Sequence, residues 1–281
     1  MWKSYKVNEQ IRITEMYTMF CAHREYNYSF LGEYHNFWEC VYVVDGTIRA
    51  SANKTVYVLN KNEIIFHKPL EIHKLDVLSE TGATIFIFTF SMDGIGVDFF
   101  NNKVFKLNDI QKKYIEDFLY FLKENNNSPD PQDKESTLFL RKFEYSTTYS
   151  QLCVTYIYQL FLSLMAEHTI LSVSETPEAS IFSKAVNYMN SHITTQIYIS
   201  DIANYCNIST TGLKRIFYKF SGMGIHKYFI KLKINTAAQL LTDGESVTQI
   251  AEYLGFSSQG YFSLVFKRET GLTPTEFKLS N

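Results

Sequence analysis

Two stretches decide the reading: IANYCNISTTGLKRIFYKFSGMGI at 202–225 and IAEYLGFSSQGYFSLVFKRETGLTP at 250–274. Both open on Ile-Ala and close on an aromatic-then-Gly ending. Their offset is 48 residues at the start and 49 after the middle, as expected of one supersecondary unit written twice. Short helices are predicted over Asp201 to Cys206 and Val247 to Leu254, with Ser246 and Gln249 at capping-box spacing in the second. Each meets a residue tolerant of left-handed backbone, Asn207 or Gly255. An apolar plug follows, Ile208 or Phe256, and then a Ser able to cap the next helix. Helix, tight turn, helix is the layout in which a second helix enters the major groove of DNA.

The phase of those second helices predicts their faces. Leu213, Ile216, Phe217 and Phe220 form one stripe and point inward. Thr211, Lys214, Arg215 and Tyr218, with Lys219 beside them, are left to meet bases and phosphates. In the second unit Phe262, Val265 and Phe266 point inward. Gln259, Gly260, Ser263, Leu264 and Lys267 point outward, on a face with less charge.

Charge agrees with this division. From Ser180 onward ten basic residues face six acidic ones, whereas seventeen face twenty-three before it, within a net charge of -2 for the 281 residues. A basic third on an acidic body fits a module that meets a polyanion.

Upstream, Cys40 to Val44, Asp45-Gly46 and Thr47 to Ala50 carry a hairpin signal. Further strands are expected at Thr55 to Leu59, Glu63 to His67 and Thr84 to Phe90, giving a small antiparallel barrel or sandwich, and such barrels commonly hold a small ligand. Ile110, Tyr114, Phe118 and Phe121-Leu122 mark a helix. Asn125 to Pro131 breaks it, and a second, very apolar helix runs from about Thr137 to Glu167, as core or as a dimer interface. Ser172 to Glu178 is the expected linker.

The four cysteines have no framework or metal-site spacing, the N-terminus has no apolar leader run, and Leu152 to Ala166 is too short to span a membrane. A cytoplasmic protein, associated with the nucleoid, is expected.

The last hundred residues resemble the C-terminal domain of the AraC family of bacterial transcription regulators. GYFSLVFKRETGLTPTEF at 260–277 is close to that family's characteristic motif, and the similarity runs from about Phe182 to Phe277. It implies two helix-turn-helix units joined by a long helix, here His226 to Leu241. It also implies base readers at Thr211, Lys214, Arg215, Gln259, Gly260 and Ser263. Leu264 departs from the Arg often found at its position. Thr273-Pro274-Thr275-Glu276 predicts a capped last helix.

The resemblance extends to YHNFWECVYVVDGTIRA at 34–50 and NEIIFHKPLEIHKL at 62–75, which are similar to the cupin-type sensor domain of many members. The expected architecture is α+β: a cupin-like sensing barrel over 1–105, a helical connector or dimerisation region over 106–171, a linker over 172–180 and an all-α DNA-binding domain over 181–281. His35, Trp38, Tyr42, His67 and His73 are the candidate effector-binding residues. Cupin enzymes hold a metal through closely spaced His and a carboxylate, a role into which His35 with Glu39, plus His67 or His73, could be forced. Yet no metal and no cofactor is expected, because the usual pair of His separated by one residue is absent. The expected partners are promoter DNA, a small-molecule effector, a second copy of the chain and, for an activator, RNA polymerase, with no membrane and no catalysis. The competing readings are a metal-dependent cupin enzyme with a helical dimerising appendage, and a DNA-bending protein indifferent to small molecules.

Overall fold

The computed structural model describes residues 2–126, 135–171 and 176–280. Among the described residues nine strands come first in the order of the chain, interrupted by two α-helices. They are β1 Arg12–Arg24, β2 Trp38–Asp45, β3 Thr47–Ala52, β4 Thr55–Asn60, β5 Glu63–His67, β6 His73–Val77, β7 Ala83–Asp93, β8 Val104–Lys106 and β9 Thr169–Ile170. Between β8 and β9 lie α1, Asp109–Asn125, and α2, Thr147–Ala166.

Two sheets result: six strands in the order β1-β7-β2-β5-β8-β9, and three in the order β4-β3-β6. No ladder among the described residues closes them into the expected barrel. The reason lies at Asp45-Gly46. β2 pairs with β5 and β7, while β3 pairs with β4 and β6, so this dipeptide turns a corner between sheets and makes no hairpin. Gly46 has φ +84°, and a Cβ there would lie 2.5 Å from the Gly82 carbonyl oxygen. A corner and a hairpin turn make the same local demand for positive φ.

The large sheet is covered on both faces, which explains the nearly unbroken apolar run of β7. Phe86, Phe88 and Phe90 point to a core shared with Ile115, Phe118, Ile157, Phe161 and Leu164 of α1 and α2. Ile85 points the other way, toward Ile48, Leu59 and Val77 of the small sheet. The apolar face of α2 is therefore core. Ile110, expected on the buried stripe of α1, is 62% exposed, and the stripe is Gln111, Ile115, Phe118 and Leu122. The helix predicted from Thr137 divides into short 3₁₀ turns at Glu135–Thr137 and Arg141–Glu144. The helix proper begins after Ser146, whose hydroxyl accepts from the Tyr149 amide at 3.2 Å. The predicted break over 127–131 and the linker residues 172–175 lie outside the described residues.

Seven helices follow among the described residues: α3 Pro177–Ser191, α4 Ile199–Tyr205, α5 Thr210–Ser221, α6 Ile225–Thr242, α7 Val247–Tyr253, α8 Gln259–Thr270 and α9 Pro274–Ser280. The linker expectation thus overruns the start of α3, where Thr176 caps the helix by accepting from the Ala179 amide at 3.2 Å. Helices α3 to α6 close one core around Phe182, Phe217 and Tyr228. The second half of α6 with α7 to α9 closes another around Phe262 and Phe266.

The first of these cores takes in Val56 and Ile72 from the sheet region, so the helical domain sits directly on the small sheet. A strap between β1 and β2 adds to the contact. It is bonded to β6 at Phe30 N to Leu75 O, 2.9 Å, and at Glu33 N to His73 O, 2.9 Å. At its tip Gly32 meets the end of α5, where a Cβ would lie 2.1 Å from the Ser221 carbonyl oxygen. Tyr34 then donates to Asn235 Oδ1 of α6 at 2.6 Å. Among the described residues no helix is long and apolar enough to cross a membrane.

Candidate nucleic-acid interface and sensor cavity

The two repeated stretches fold alike. Asn207 adopts φ 55° and Gly255 φ 67°. The plug amides then close equivalent bonds, Ile208 N to Ala203 O at 3.0 Å and Phe256 N to Ala251 O at 2.9 Å. Ser209 caps α5 by accepting from the Gly212 amide at 3.1 Å, and Ser258 caps α8 through the Tyr261 amide at 3.1 Å. Because the second cap is Ser258, the extra residue of the second copy is Ser257, in the turn, where it leaves both helices in register. Helix α6, which joins the units, is one residue longer at each end than expected. The terminal capping box forms, with Thr273 N to Glu276 Oε2 at 2.7 Å and Glu276 N to Thr273 Oγ1 at 3.2 Å.

The inward stripes are buried as expected: Leu213, Ile216, Phe217 and Phe220 on α5, and Phe262, Val265 and Phe266 on α8. Thr211, Lys214, Arg215 and Tyr218 are exposed, as are Gln259, Gly260, Leu264 and Lys267, while Ser263 and Lys219 are half-buried. A residue that the sequence reading left in the linker intervenes here. Glu178, in the first turn of α3, pairs with Lys219 and stands 3.5 Å from Arg215. The hydrogen bond from Lys219 holds its carboxyl below the usual range. In the second unit Arg268, absent from that reading, pairs with Glu269 at 2.7 Å, and Gln259 Oε1 accepts from Thr248 Oγ1 at 2.8 Å.

Of the five candidate effector residues, the structure brings three together. His35, His67 and His73 line a cavity of about 290 Å³ between the sheets, with Phe20, Phe30 and Ile87 among its apolar walls. Trp38 and Tyr42 do not line it. They alternate with Glu39 and Val41 on β2, so they point to the opposite face and pack in the core under α1 and α2. The Tyr42 hydroxyl is engaged by Asn62 Oδ1 at 2.9 Å.

Glu39, which the parity of β2 selects, and Glu33 on the strap join the histidines in the cavity wall. Burial disfavours the charge of Glu39, but the opposite charge of His73 outweighs it and holds the carboxyl well below the usual range. Burial likewise opposes charge on His73, and Glu39 with Glu33 reverses it, raising that imidazole well above its ordinary value. His67, stacked on His73 with ring centroids 4.4 Å apart, is shifted down, first by burial and then by the neighbouring charge. Arg24 forms a bidentate pair with Glu135 at 3.1 and 2.6 Å in the same wall.

Comparison with known proteins bears on the helical part first. A profile described as a helix-turn-helix domain matches residues 202–280. A solved transcriptional regulator from Chromobacterium violaceum, described as containing an AraC-type DNA-binding domain, is 32% identical. It covers 36% of this chain and 91% of its own, with a TM-score of 0.35. The chain belongs to the AraC family.

Regulatory protein PocR of Salmonella typhimurium is 29% identical over 37% of this chain, which spans about a third of that protein, 34%. The similarity reaches into the sheets in one uncharacterized regulator of the helix-turn-helix type, YfiF of Bacillus subtilis. It is 25% identical over 90% of this chain and 80% of its own. In this AraC-family member a sheet-rich N-terminal region thus precedes a helical C-terminal domain.

Proposed function

We propose that the chain is a sequence-specific, DNA-binding transcription regulator whose activity is set by a ligand in the cavity between its sheets. The observation that carries this reading is the pair of equally built helix-turn-helix units presenting α5 and α8 outward. In this reading Lys214 and Arg215, with Thr211, Tyr218 and Lys219, make the first contact. Gln259, Gly260, Ser263 and Lys267 make the second.

The stronger charge of α5 assigns more of the affinity to the first unit. Leu264, 64% exposed, offers a thymine methyl an apolar contact where Arg215 offers a guanine two donors. A ligand binding one arrangement of strap and helices better than another biases DNA affinity by that difference. As an activator in the cytoplasm, such a protein works at the nucleoid as a dimer and engages RNA polymerase.

The test is binding to the DNA upstream of its own gene and its neighbours across a range of salt. A steep loss of affinity with rising salt, at a slope of several phosphate contacts, is the expected result. Salt-independent or absent binding would remove the proposal. The relatives described above are regulators, which favours this reading over a cupin enzyme.

A further inference from the structure

We infer that Glu33, His35, Glu39 and His73 form a site for one divalent first-row transition-metal ion. One ligand atom from each residue lies within 4.8 Å of the others. An ion about 2.0–2.2 Å from each atom of a tetrahedral set holds neighbouring atoms about 3.3–3.6 Å apart. Two of the separations already match that edge, His73 Nε2 to Glu33 Oε1 at 3.3 Å and His73 Nε2 to Glu39 Oε1 at 3.6 Å, and His35 Nε2 to Glu39 Oε2, at 3.7 Å, is just longer than it.

The tautomers point the same way. His35 Nδ1 is 2.9 Å from the Phe37 carbonyl and His73 Nδ1 is 2.9 Å from the Glu71 carbonyl. A carbonyl only accepts, so both Nδ1 atoms carry hydrogen, and in the neutral ring Nε2 presents a lone pair to the cluster. His35 Nε2 is buried and has no hydrogen-bond partner, which a native interior rarely leaves without a reason. Two imidazoles and two carboxylates, with no thiolate, suit Zn²⁺, Co²⁺, Fe²⁺ or Mn²⁺ better than the all-oxygen shells of Ca²⁺ and Mg²⁺.

The site also has an address. Glu33 and His35 lie on the strap and flank Tyr34, whose ring carries Lys231 Nζ at 4.0 Å and whose hydroxyl reaches Asn235. Glu39 and His73 lie on β2 and β6. A bound ion ties the strap to both sheets and fixes the segment against which α5 and α6 rest. This consequence rests on the proposed DNA-binding function; the site itself does not.

The test begins with the full chain freed of metal by a chelator and titrated with Co²⁺. Visible d–d absorption reporting one tetrahedral ion per chain is expected, with displacement by Zn²⁺. His35→Ala and Glu39→Gln should each weaken binding at least about 100-fold, since even outer-shell partners cost 10–100-fold. His23→Ala, at an exposed ring elsewhere, should not. Glu33→Gln stands in for any variant whose circular dichroism shows it unfolded. The absence of stoichiometric Co²⁺ in folded protein, or equal binding in the ligand variants, overturns the inference. DNA affinity of the same preparation is measured in chelator and in Zn²⁺. DNA binding without any metal binding removes the site alone, and metal binding without any DNA binding removes the regulator reading alone.

Discussion

Glu178→Gln should make the protein bind DNA more tightly. In the free protein the Glu178 carboxylate competes with phosphate for Lys219, on which it is hydrogen-bonded, and for Arg215 at 3.5 Å. At that separation a full charge pair in water is worth about 1.2 kcal/mol. The side chains are 77% and 34% exposed for Arg215 and Glu178, and pairs so placed contribute ~0–1 kcal/mol.

Releasing the cations should therefore raise affinity by about fivefold at low salt. The slope of log affinity against log salt should steepen by about 0.9 for each cation that gains a phosphate. Fold stability should fall by less than about 1 kcal/mol. Fluorescence anisotropy on a random-sequence duplex at several salt concentrations measures both the affinity and the slope. An unchanged affinity together with an unchanged slope would refute the placement of Arg215 and Lys219 at the DNA.

Gly255→Ala should cost on the order of 1–3 kcal/mol, because φ is +67° and the new Cβ would lie 2.9 Å from the Thr194 carbonyl oxygen; chemical denaturation measures it. Asn207→Gly, at the matching turn, should change stability by no more than about 1 kcal/mol in the same experiment. Phe161→Ala should cost about 3–5 kcal/mol, since the ring is fully buried among Phe66, Phe90 and Phe100; a loss under 1 kcal/mol would place the core elsewhere. Burial works against charge on Glu269, yet Lys231 and Arg268 hold its carboxyl below the usual range. Its contribution is present above the unfolded carboxylate value of about 4.3 and is lost as pH falls through the lower folded value. In Glu269→Gln that part of the acid limb of the stability curve should disappear.

The helix-turn-helix units were legible because every signal in them is local. A left-handed residue, a plug and a cap follow one another within a few positions, and each names its own backbone role. The sheets were less so. β6, HKLDV, reads as polar, yet it is buried because Lys74 and Asp76 pair and His73 meets Glu33 and Glu39. The pairing of His73 with Glu33 and Glu39, far back in the chain, leaves no trace in hydrophobic alternation, and the neighbouring Lys74–Asp76 pair reads there only as two polar residues. Trp38 and Tyr42 were assigned to the cavity by neighbourhood, but the period of two puts Glu39 and Val41 there. Parity becomes readable only when one residue's side is known. Glu178 read only as linker, since its role depends on how α3 lies against α5.

The meeting of Gly32 with Ser221 and with Gly222, the residue that caps the C-terminal end of α5, sets a mechanical relation within the molecule. Helix α5 is gripped at its C-terminal end, and its twelve residues reach about 18 Å from that grip to the end that the proposed function places in the groove. A tilt of 5° at the strap would carry the first turn by roughly 1.6 Å, more than enough to break the hydrogen bonds to a base that the proposed function requires of it. The strap holds the reading helix as a hand holds a pen, where a small turn of the fingers moves the tip.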